Sequence, residues 1–509
     1  MALIHSIVSW ATIKRMNQIE LFEKYPEDVQ QEQLFNLLQT AKDTEFGRKY
    51  DFASITNMQM FKERVPVRTY EGFSEYIDKI RKGQQNILWP SEIKWFAKSS
   101  GTTSDKSKFI PVSPESLEDC HLRGGKDVIV LYTTNFPGRS VFTGKALAIG
   151  GSQQINRYNN EIYYGDLSAV LIENFPFWAR LLQTPGKKIA LMDEWEEKIE
   201  LMAQTTSNEN VTSMSGVPSW TMVLAKRVLE ITGKKKLIDV WPNLELFVHG
   251  GVSFTPYREQ FTKLIGASNM NYLETYNASE GFFAIQDSPH ADGMLLMLDY
   301  GVFYEFIPIE NLDKENPEAI GLDEVELNKN YALVISTNGG LWRYLIGDTI
   351  KFTSKHPFRI KVTGRTKHFI NAFGEELIID NAEKALKKAC DRTGAEVKEY
   401  TAAPVFMNQN HNGGHEWLFE FSKMPDNLEH FADILDTSLK AVNSDYEAKR
   451  YKNISLAPPK IEIAKDGLFY TWLKERGRLG GQNKVPRLAN HRDYIDRLLE
   501  LNKEMQKNN

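Results

Sequence analysis

After Pro26-Glu27-Asp28, the apolar residues Val29, Leu34, Leu37 and Leu38 recur at helical spacing and predict an amphipathic helix ending near Ala41. A second stripe, Trp220, Val223, Leu224, Val228 and Ile231, predicts a helix from Ser219 that stops before Gly233. Between residues 244 and 353 the rhythm shortens. Apolar runs at 244–248, 271–275, 294–298, 303–307, 333–336 and 350–352, bounded by Gly, Asn and Asp, predict strands. Mixed helices and buried strands make an α/β body.

The pattern changes again after Gly364. Asp380-Asn381-Ala382-Glu383 reads as a helix start, and Ala385, Leu386 and Ala389 turn that helix inward. Runs at 405–407 and 417–421 flank Asn412-Gly413-Gly414, which predicts a hairpin. Helices are expected near 428–442 and 492–505. At 509 residues the chain is too long for one core. The expected division is 1–365 as a large domain and 366–509 as a smaller α+β domain. The N-terminal MALIHSIVSWATIKR reads as an amphipathic first helix rather than a signal peptide.

Composition narrows the partners. Sixty-two Lys and Arg against 67 Asp and Glu leave a net charge of −5 without a sustained basic field, so nucleic acid is not expected. Lys234-Lys235-Lys236 reads as solvated surface. No run approaches eighteen apolar residues, so no membrane span is expected. Cys120 and Cys390 are the only cysteines; they exclude a disulfide framework and a thiolate zinc cluster, and suit a reducing cytoplasm.

Three separated segments carry chemistry. In residues 99–108, SSGTTSDKSK, small hydroxylated residues beside a glycine can wrap a phosphate with N–H and O–H donors, with Lys106 and Lys108 adding charge. The Walker pattern G-x-x-x-x-G-K-[ST] is absent. Tyr276-Asn277-Ala278-Ser279-Glu280 brings an aromatic ring, a hydroxyl and a carboxylate to one strand end: a ring can stack on a base, a hydroxyl can touch phosphate, and a carboxylate can hold Mg²⁺. The third segment, WRYLIGD and then TGRTKHFINAFGEEL, contains Gly347-Asp348; one carboxylate there matches two ribose hydroxyls. Alternatively, Asp348 is a turn acid before the strand at 350–352. Arg365 follows Gly364 at the expected domain boundary, with Lys367 just beyond.

In their order these segments resemble the acyl-adenylate-forming superfamily, and more closely the Gretchen Hagen 3 family of acyl-acid amido synthetases. The resemblance rests on Ser99-Ser100-Gly101, Tyr276 to Glu280, Arg343-Tyr344 with Gly347-Asp348, and Gly481-Gln482-Asn483-Lys484-Val485-Pro486-Arg487. Ser104-Asp105 stands where that superfamily commonly has a second loop glycine. The resemblance implies ATP and Mg²⁺, adenylation of a carboxylic acid, and transfer of the acyl group to an amine, usually an amino acid. It implies a large adenylate-forming domain and a smaller mobile C-terminal domain. Ser99, Ser100, Gly101, Thr102, Thr103 and Lys108 would hold phosphates; Ser279 would assist at the α-phosphate and Glu280 would hold Mg²⁺. Asp348 would hold the ribose, and Tyr276 with the backbone of Gly250-Gly251 would frame adenine. Arg365 lies at the same nucleotide site. Lys484 would deliver a cation to the transferring phosphate, and Lys367 would lie at the pivot. The helix after the phosphate loop would line the acyl site through His121 and Arg123, with Val217 and Trp220 as another wall; for Arg123 a surface ion pair is an equal alternative.

A serine hydrolase would use Ser279 with a later histidine such as His368, but the first elbow glycine is missing. His411 and His415 flank a turn, so a shared metal-ligand face is not expected. A coenzyme A ligase shares the first half-reaction, and a non-catalytic nucleotide-binding protein would not require Glu280, Asp348, Lys367 and Lys484 together. The motifs name neither acid nor amine, and none of them encodes an oligomeric state.

Overall fold

The computed structural model describes residues 2–99, 108–139, 141–150, 155–158, 161–192, 194–251, 254, 257–312, 314, 317–366, 369–370, 377–405, 413–443, 446–447, 450, 456–477, 485–489 and 491–507. Two compact units are present. Met1–Val252, Glu259–Val362 and Gly480–Gln482 form the first; Ser253–Arg258, Thr363–Leu479 and Asn483–Asn509 form the second. The units part inside strand Phe358–Arg365, and the short segment Ser253–Arg258 belongs with the C-terminal unit.

The first unit is built on an eleven-stranded mixed sheet. Its order is Val302–Pro308, Asn330–Thr337, Tyr344–Lys355, Phe358–Arg365, Met294–Leu296, Gly281–Ile285, Asn271–Ala278, Leu246–Gly250, Val211–Gly216, Lys145–Ala148, Gln183–Thr184. A four-stranded sheet of Lys108–Val112, Trp95–Ser99, Tyr163–Gly165 and Asn156–Arg157 accompanies it. Helix Pro26–Ala41 covers the strand Val302–Pro308, burying Leu34, Leu37 and Leu38. Buried Gln30 makes the seam: its Nε2 donates to the carbonyls of Leu298 and Val302 at 2.9 Å each, and its Oε1 accepts from Tyr304 N–H at 2.8 Å. A buried amide without such partners would cost more than it contributes.

Helix Pro218–Thr232 forms as the apolar stripe predicts and ends at Gly233, which takes φ +67°. Its inward face differs. Trp220, Leu224 and Val228 are buried with Ala225, whereas Val223 and Ile231 face solvent. The buried set repeats every four residues, so the stripe is narrower than predicted.

In the second unit, Glu396–Val405 pairs antiparallel with Gly414–Lys423, Val405 opposite Gly414, as a hairpin. Lys460–Ile463 adds a parallel third strand. Helices Ile379–Thr393 and Leu428–Val442 bury Ala385, Leu386, Ala389, Phe431 and Leu435 with Tyr400, Trp417 and Phe419 in a core of their own. Helix Asp493–Lys507 closes the chain. Among the described residues, no helix is long and apolar enough to cross a membrane.

Candidate active site

Strand Asn271–Ala278 is where the large sheet changes direction. On one side it runs parallel to Leu246–Gly250, which runs parallel to Val211–Gly216, itself parallel to Lys145–Ala148. On the other side it turns through Ser279-Glu280 into antiparallel Gly281–Ile285. Carboxyl ends of parallel strands at such a switch are where α/β sheets bind ligands. Val217, Gly250, Gly251, Ser279 and Glu280 all lie at this edge, with Trp220 one helical turn on. A Cβ on Gly250 would lie 2.4 Å from the Thr275 carbonyl oxygen, so packing of neighbouring strands already requires that glycine. Gly251 takes φ +80°, open to glycine and strained for other residues.

Tyr276 and Asp348 lie inside strands, not at their ends. The strand of Asp348 bulges there, and so does the strand paired with Tyr276. Ala332 pairs with Thr349 and Val334 with Leu345, so Ile346, Gly347 and Asp348 stand opposite Leu333 alone. Phe282 pairs with Asn277 and Ala284 with Tyr276, leaving Phe283 extra, its ring 5.0 Å from that of Tyr276. Bulges re-aim side chains. Four strand steps separate the strands of Tyr276 and Asp348, about 19 Å in a flat sheet. The sheet curls far enough that the Tyr276 hydroxyl donates to Asp348 Oδ2 at 2.7 Å. The reciprocal bond also forms: the Tyr344 hydroxyl donates to Glu280 Oε1 at 3.3 Å. Each motif thus gives its tyrosine to the other's acid.

The segment after the predicted phosphate loop packs directly on this hairpin. It is π-helical over Ser116–Leu122 and continues as the α-helix Arg123–Asn135. Phe282 N–H donates to Cys120 Sγ at 3.1 Å, and a Cβ on Gly124 would lie 2.4 Å from the Phe282 ring. His121 is buried and hydrogen-bonded to the Asn277 side chain; burial pushes its imidazole down to about 4, against that hydrogen bond. Its Nδ1 has no partner among the described residues. The ring is therefore neutral near pH 7 and sits against the 276–280 motif.

Arg123 is engaged elsewhere. Its guanidinium meets Asp299 Oδ2 at 2.8 Å and the Asp299 carbonyl at 3.1 Å, in a network where Arg15 also binds Asp299 and Asp127. This is the ion-pair alternative, because Asp299 takes the charge that a substrate carboxylate would need. Ser99 closes the hairpin of the small sheet opposite Lys108, whose Nζ lies 5.8 Å from the Tyr70 ring centroid. Arg365 ends its strand, half-buried. Ser100, Gly101, Thr102, Thr103, Lys367 and Lys484 lie outside the described residues.

The motif reading gave no separate role to Tyr344, Arg343 or Asn277. Arg343 is a buried anchor: it takes φ +46°, pairs bidentately with Glu305 at 2.9 and 3.0 Å, and donates to the carbonyls of Val65 and Lys62. Burial raises the Glu305 carboxyl against the pull of Arg343. The nearest signal in sequence was the pair Arg343-Tyr344 itself, since an arginine inside an apolar run must find a buried acid.

A mixed sheet with a parallel-to-antiparallel switch, followed by a separate α+β unit, is the fold of the adenylate-forming amido synthetases. Superposition on a solved structure, the GH3.15 acyl acid amido synthetase, gives a TM-score of 0.78 at 18% identity over 96% of this chain and 95% of that one. The chain belongs to the GH3 family: the GH3 family N-terminal domain matches residues 15–270, the central domain 295–365 and the C-terminal domain 380–493. Among its relatives, indole-3-acetic acid-amido synthetase GH3.3 of Arabidopsis thaliana is 23% identical over 96% of this chain and 93% of its own. Jasmonoyl–L-amino acid synthetase JAR4 of Nicotiana attenuata is 25% identical over 92% of each.

Proposed function

We propose that this chain is an ATP-dependent acyl-acid amido synthetase that joins a small carboxylic acid to an amine, an amino acid by preference. The observation that carries the reading is the crossed pair of tyrosine–carboxylate bonds, which joins two distant motifs in a GH3-family chain. Asp348 is the acceptor for the ribose hydroxyls, held by Tyr276. Ser279 is a donor at the α-phosphate, and the 99–103 segment with Lys108 carries the phosphate donors. The acid's carboxylate oxygen attacks the α-phosphorus, the bond to the β-phosphate oxygen breaks, and pyrophosphate leaves. The amine then attacks the acyl carbon, loses a proton, and AMP departs.

Glu280 offers hard oxygen donors beside Ser279, which fits Mg²⁺ held by one carboxylate together with substrate phosphates. The ion would neutralise charge on those phosphates. His121, neutral and against Asn277, and the wall of Val217 and Trp220 border the acyl end. Residues 1–365 form the adenylating body and 366–509 the smaller domain, with a pivot near 365–367 and Lys484 acting on the transferring phosphate. The two free cysteines suit a cytoplasmic setting.

A screen of ATP–pyrophosphate exchange over aryl, indolyl and fatty acids tests the first step. One acid class is expected to support exchange, and its adenylate to be discharged by an amino acid. Discharge by coenzyme A alone would make the chain a thioester ligase, and silence with every acid, despite ATP binding, would leave it non-catalytic.

A further inference from the structure

Tyr344 is fixed far more tightly than a tyrosine that only fills space. It is fully buried. Its backbone pairs with Ile335 on one side, and on the other forms a bridge with Arg68 while Leu345 N–H donates to the Arg68 carbonyl at 2.8 Å. The residue before it, Arg343, stays in a left-handed conformation that costs a non-glycine residue about 1 kcal/mol, held there by Glu305 and two carbonyls. The Phe73 ring packs edge-on against the Tyr344 ring at 5.9 Å. Directly after it comes the bulge that presents Asp348. This bracing aims the phenol at Glu280, whose Oε1 accepts from it at 3.3 Å. Glu280 sits in a two-residue turn, where a carboxylate has several rotamers available. A phenol restricts those rotamers and contributes no positive charge; an arginine in the same place would compete with a cation for the carboxylate.

We infer that Tyr344 is a positioning residue, orienting the Glu280 carboxylate for the divalent cation that accompanies ATP. The inference rests on the nucleotide reading of Glu280. A further consequence is that the two motifs act as a coupled unit, because Tyr276 orients Asp348 across the same gap in the opposite direction.

Mn²⁺ binding to the full chain with saturating ATP, read as loss of the free Mn²⁺ electron paramagnetic resonance signal, tests this without measuring turnover. Tyr344→Phe is expected to weaken Mn²⁺ binding about tenfold, the effect of losing one hydrogen bond to a charged group, while ATP binding in chelator stays at the wild-type value. Glu280→Gln is expected to weaken Mn²⁺ further, and the double variant to match Glu280→Gln alone, because an orienting bond has no effect once its target is gone. If Glu280→Gln weakens Mn²⁺ and Tyr344→Phe does not, the positioning role is overturned while the reading of Glu280 stands. If Glu280→Gln leaves Mn²⁺ binding unchanged, that reading fails and the inference fails with it. Should Tyr344→Phe not fold, 3-fluorotyrosine at 344 keeps ring and hydroxyl. Its fluorine resonance is expected to shift when Mg²⁺ joins the ATP complex and to stay still in Glu280→Gln; a shift in both would overturn the role.

Discussion

Both units give tyrosine hydroxyls to carboxylates, and in both some of those carboxylates also meet an arginine, as Asp127 meets Arg15 and Asp436 meets Arg450. In the first, Asp348 and Glu280 receive tyrosine hydroxyls, directed bonds that carry no charge. In the second, Glu383 and Asp436 accept from the Tyr400 and Tyr446 hydroxyls at 3.0 and 2.9 Å, beside arginines. Arg487 meets Glu399, lies 3.9 Å from Glu383, bonds the Tyr257 hydroxyl at 3.2 Å, and stacks 4.6 Å over the Tyr400 ring. Arg450 grips Asp436 at 2.7 and 2.8 Å. A phenol orients a carboxylate without neutralising it, whereas a guanidinium also neutralises it. The first unit contains its own control: Glu305 is bound by Arg343, the residue before Tyr344.

The largest effect should come from breaking the charged cluster. Arg487→Ala strands Glu399 and Glu383, and removal of one partner from a buried pair costs about 3–5 kcal/mol. Urea unfolding followed by hydrogen exchange should show the loss in Ile379–Thr393 and Glu396–Val405, with strand Asn271–Ala278 unaffected. A loss below about 1 kcal/mol would erase the contrast. Asp348→Asn comes next. Its amide oxygen still accepts from Tyr276, so the fold should hold, but ATP binding by calorimetry should weaken about thirtyfold, or about 2 kcal/mol, because the charged acceptor is gone. Unchanged affinity would place Asp348 with the scaffold.

These assignments were unevenly legible in sequence. Helices Pro26–Ala41 and Leu428–Val442 could be read almost to the residue, because one apolar face repeats without interruption. Strand Tyr344–Lys355 was seen only over 350–352, since Gly347-Asp348 imitates a turn. Gly347 does take φ +91°, but a bulge absorbs it and the ladder resumes at Leu345. Local chemistry was right about a backbone departure and wrong about its scale. Tyr276, Glu280 and Asp348 were found as motif members. Their crossed bonds were not, because they depend on how far a sheet of several strands curls, which no short window encodes. The ion-pair partner of Arg123 could not be named from sequence for the same reason: Asp299 is distant along the chain.

Acidity should separate the units by sign. His121 is pushed down from 6.5 to about 4, first by burial. Between those values the unfolded chain binds the extra proton, so this contribution is complete above 6.5 and is lost as pH falls toward 4. Glu399 is pushed up from 4.5 to about 7, again first by burial and against Arg487. Here the folded chain binds the extra proton between 4.5 and 7, so this contribution is complete below 4.5 and is lost as pH rises toward 7. Each amounts to at most about 3 kcal/mol. Region-resolved exchange at pH 5 and pH 7 should show the His121 helix less protected at pH 5 and strand Glu396–Val405 less protected at pH 7. His121→Asn should flatten the first trend and Glu399→Gln the second. Parallel trends in both regions would mean that the environments of the two groups do not differ in this way.

The smallest effect sharpens the comparison most. Tyr276→Phe removes one hydroxyl and keeps the ring against Phe283. If that hydroxyl only satisfied a buried acid, losing it would destabilise the fold by about 1 kcal/mol, because Asp348 would be left short of a donor. If it orients Asp348 for a sugar, the loss should appear as weaker ATP binding, about three- to fivefold, with 2′,3′-dideoxy-ATP unaffected because that analogue offers no ribose hydroxyls to the carboxylate. The fold reading predicts equal binding losses for both nucleotides or none for either; the site reading predicts a difference between them. Calorimetry on the two nucleotides with the same variant therefore decides whether a neutral donor on a buried acid marks a site or only fills a valence.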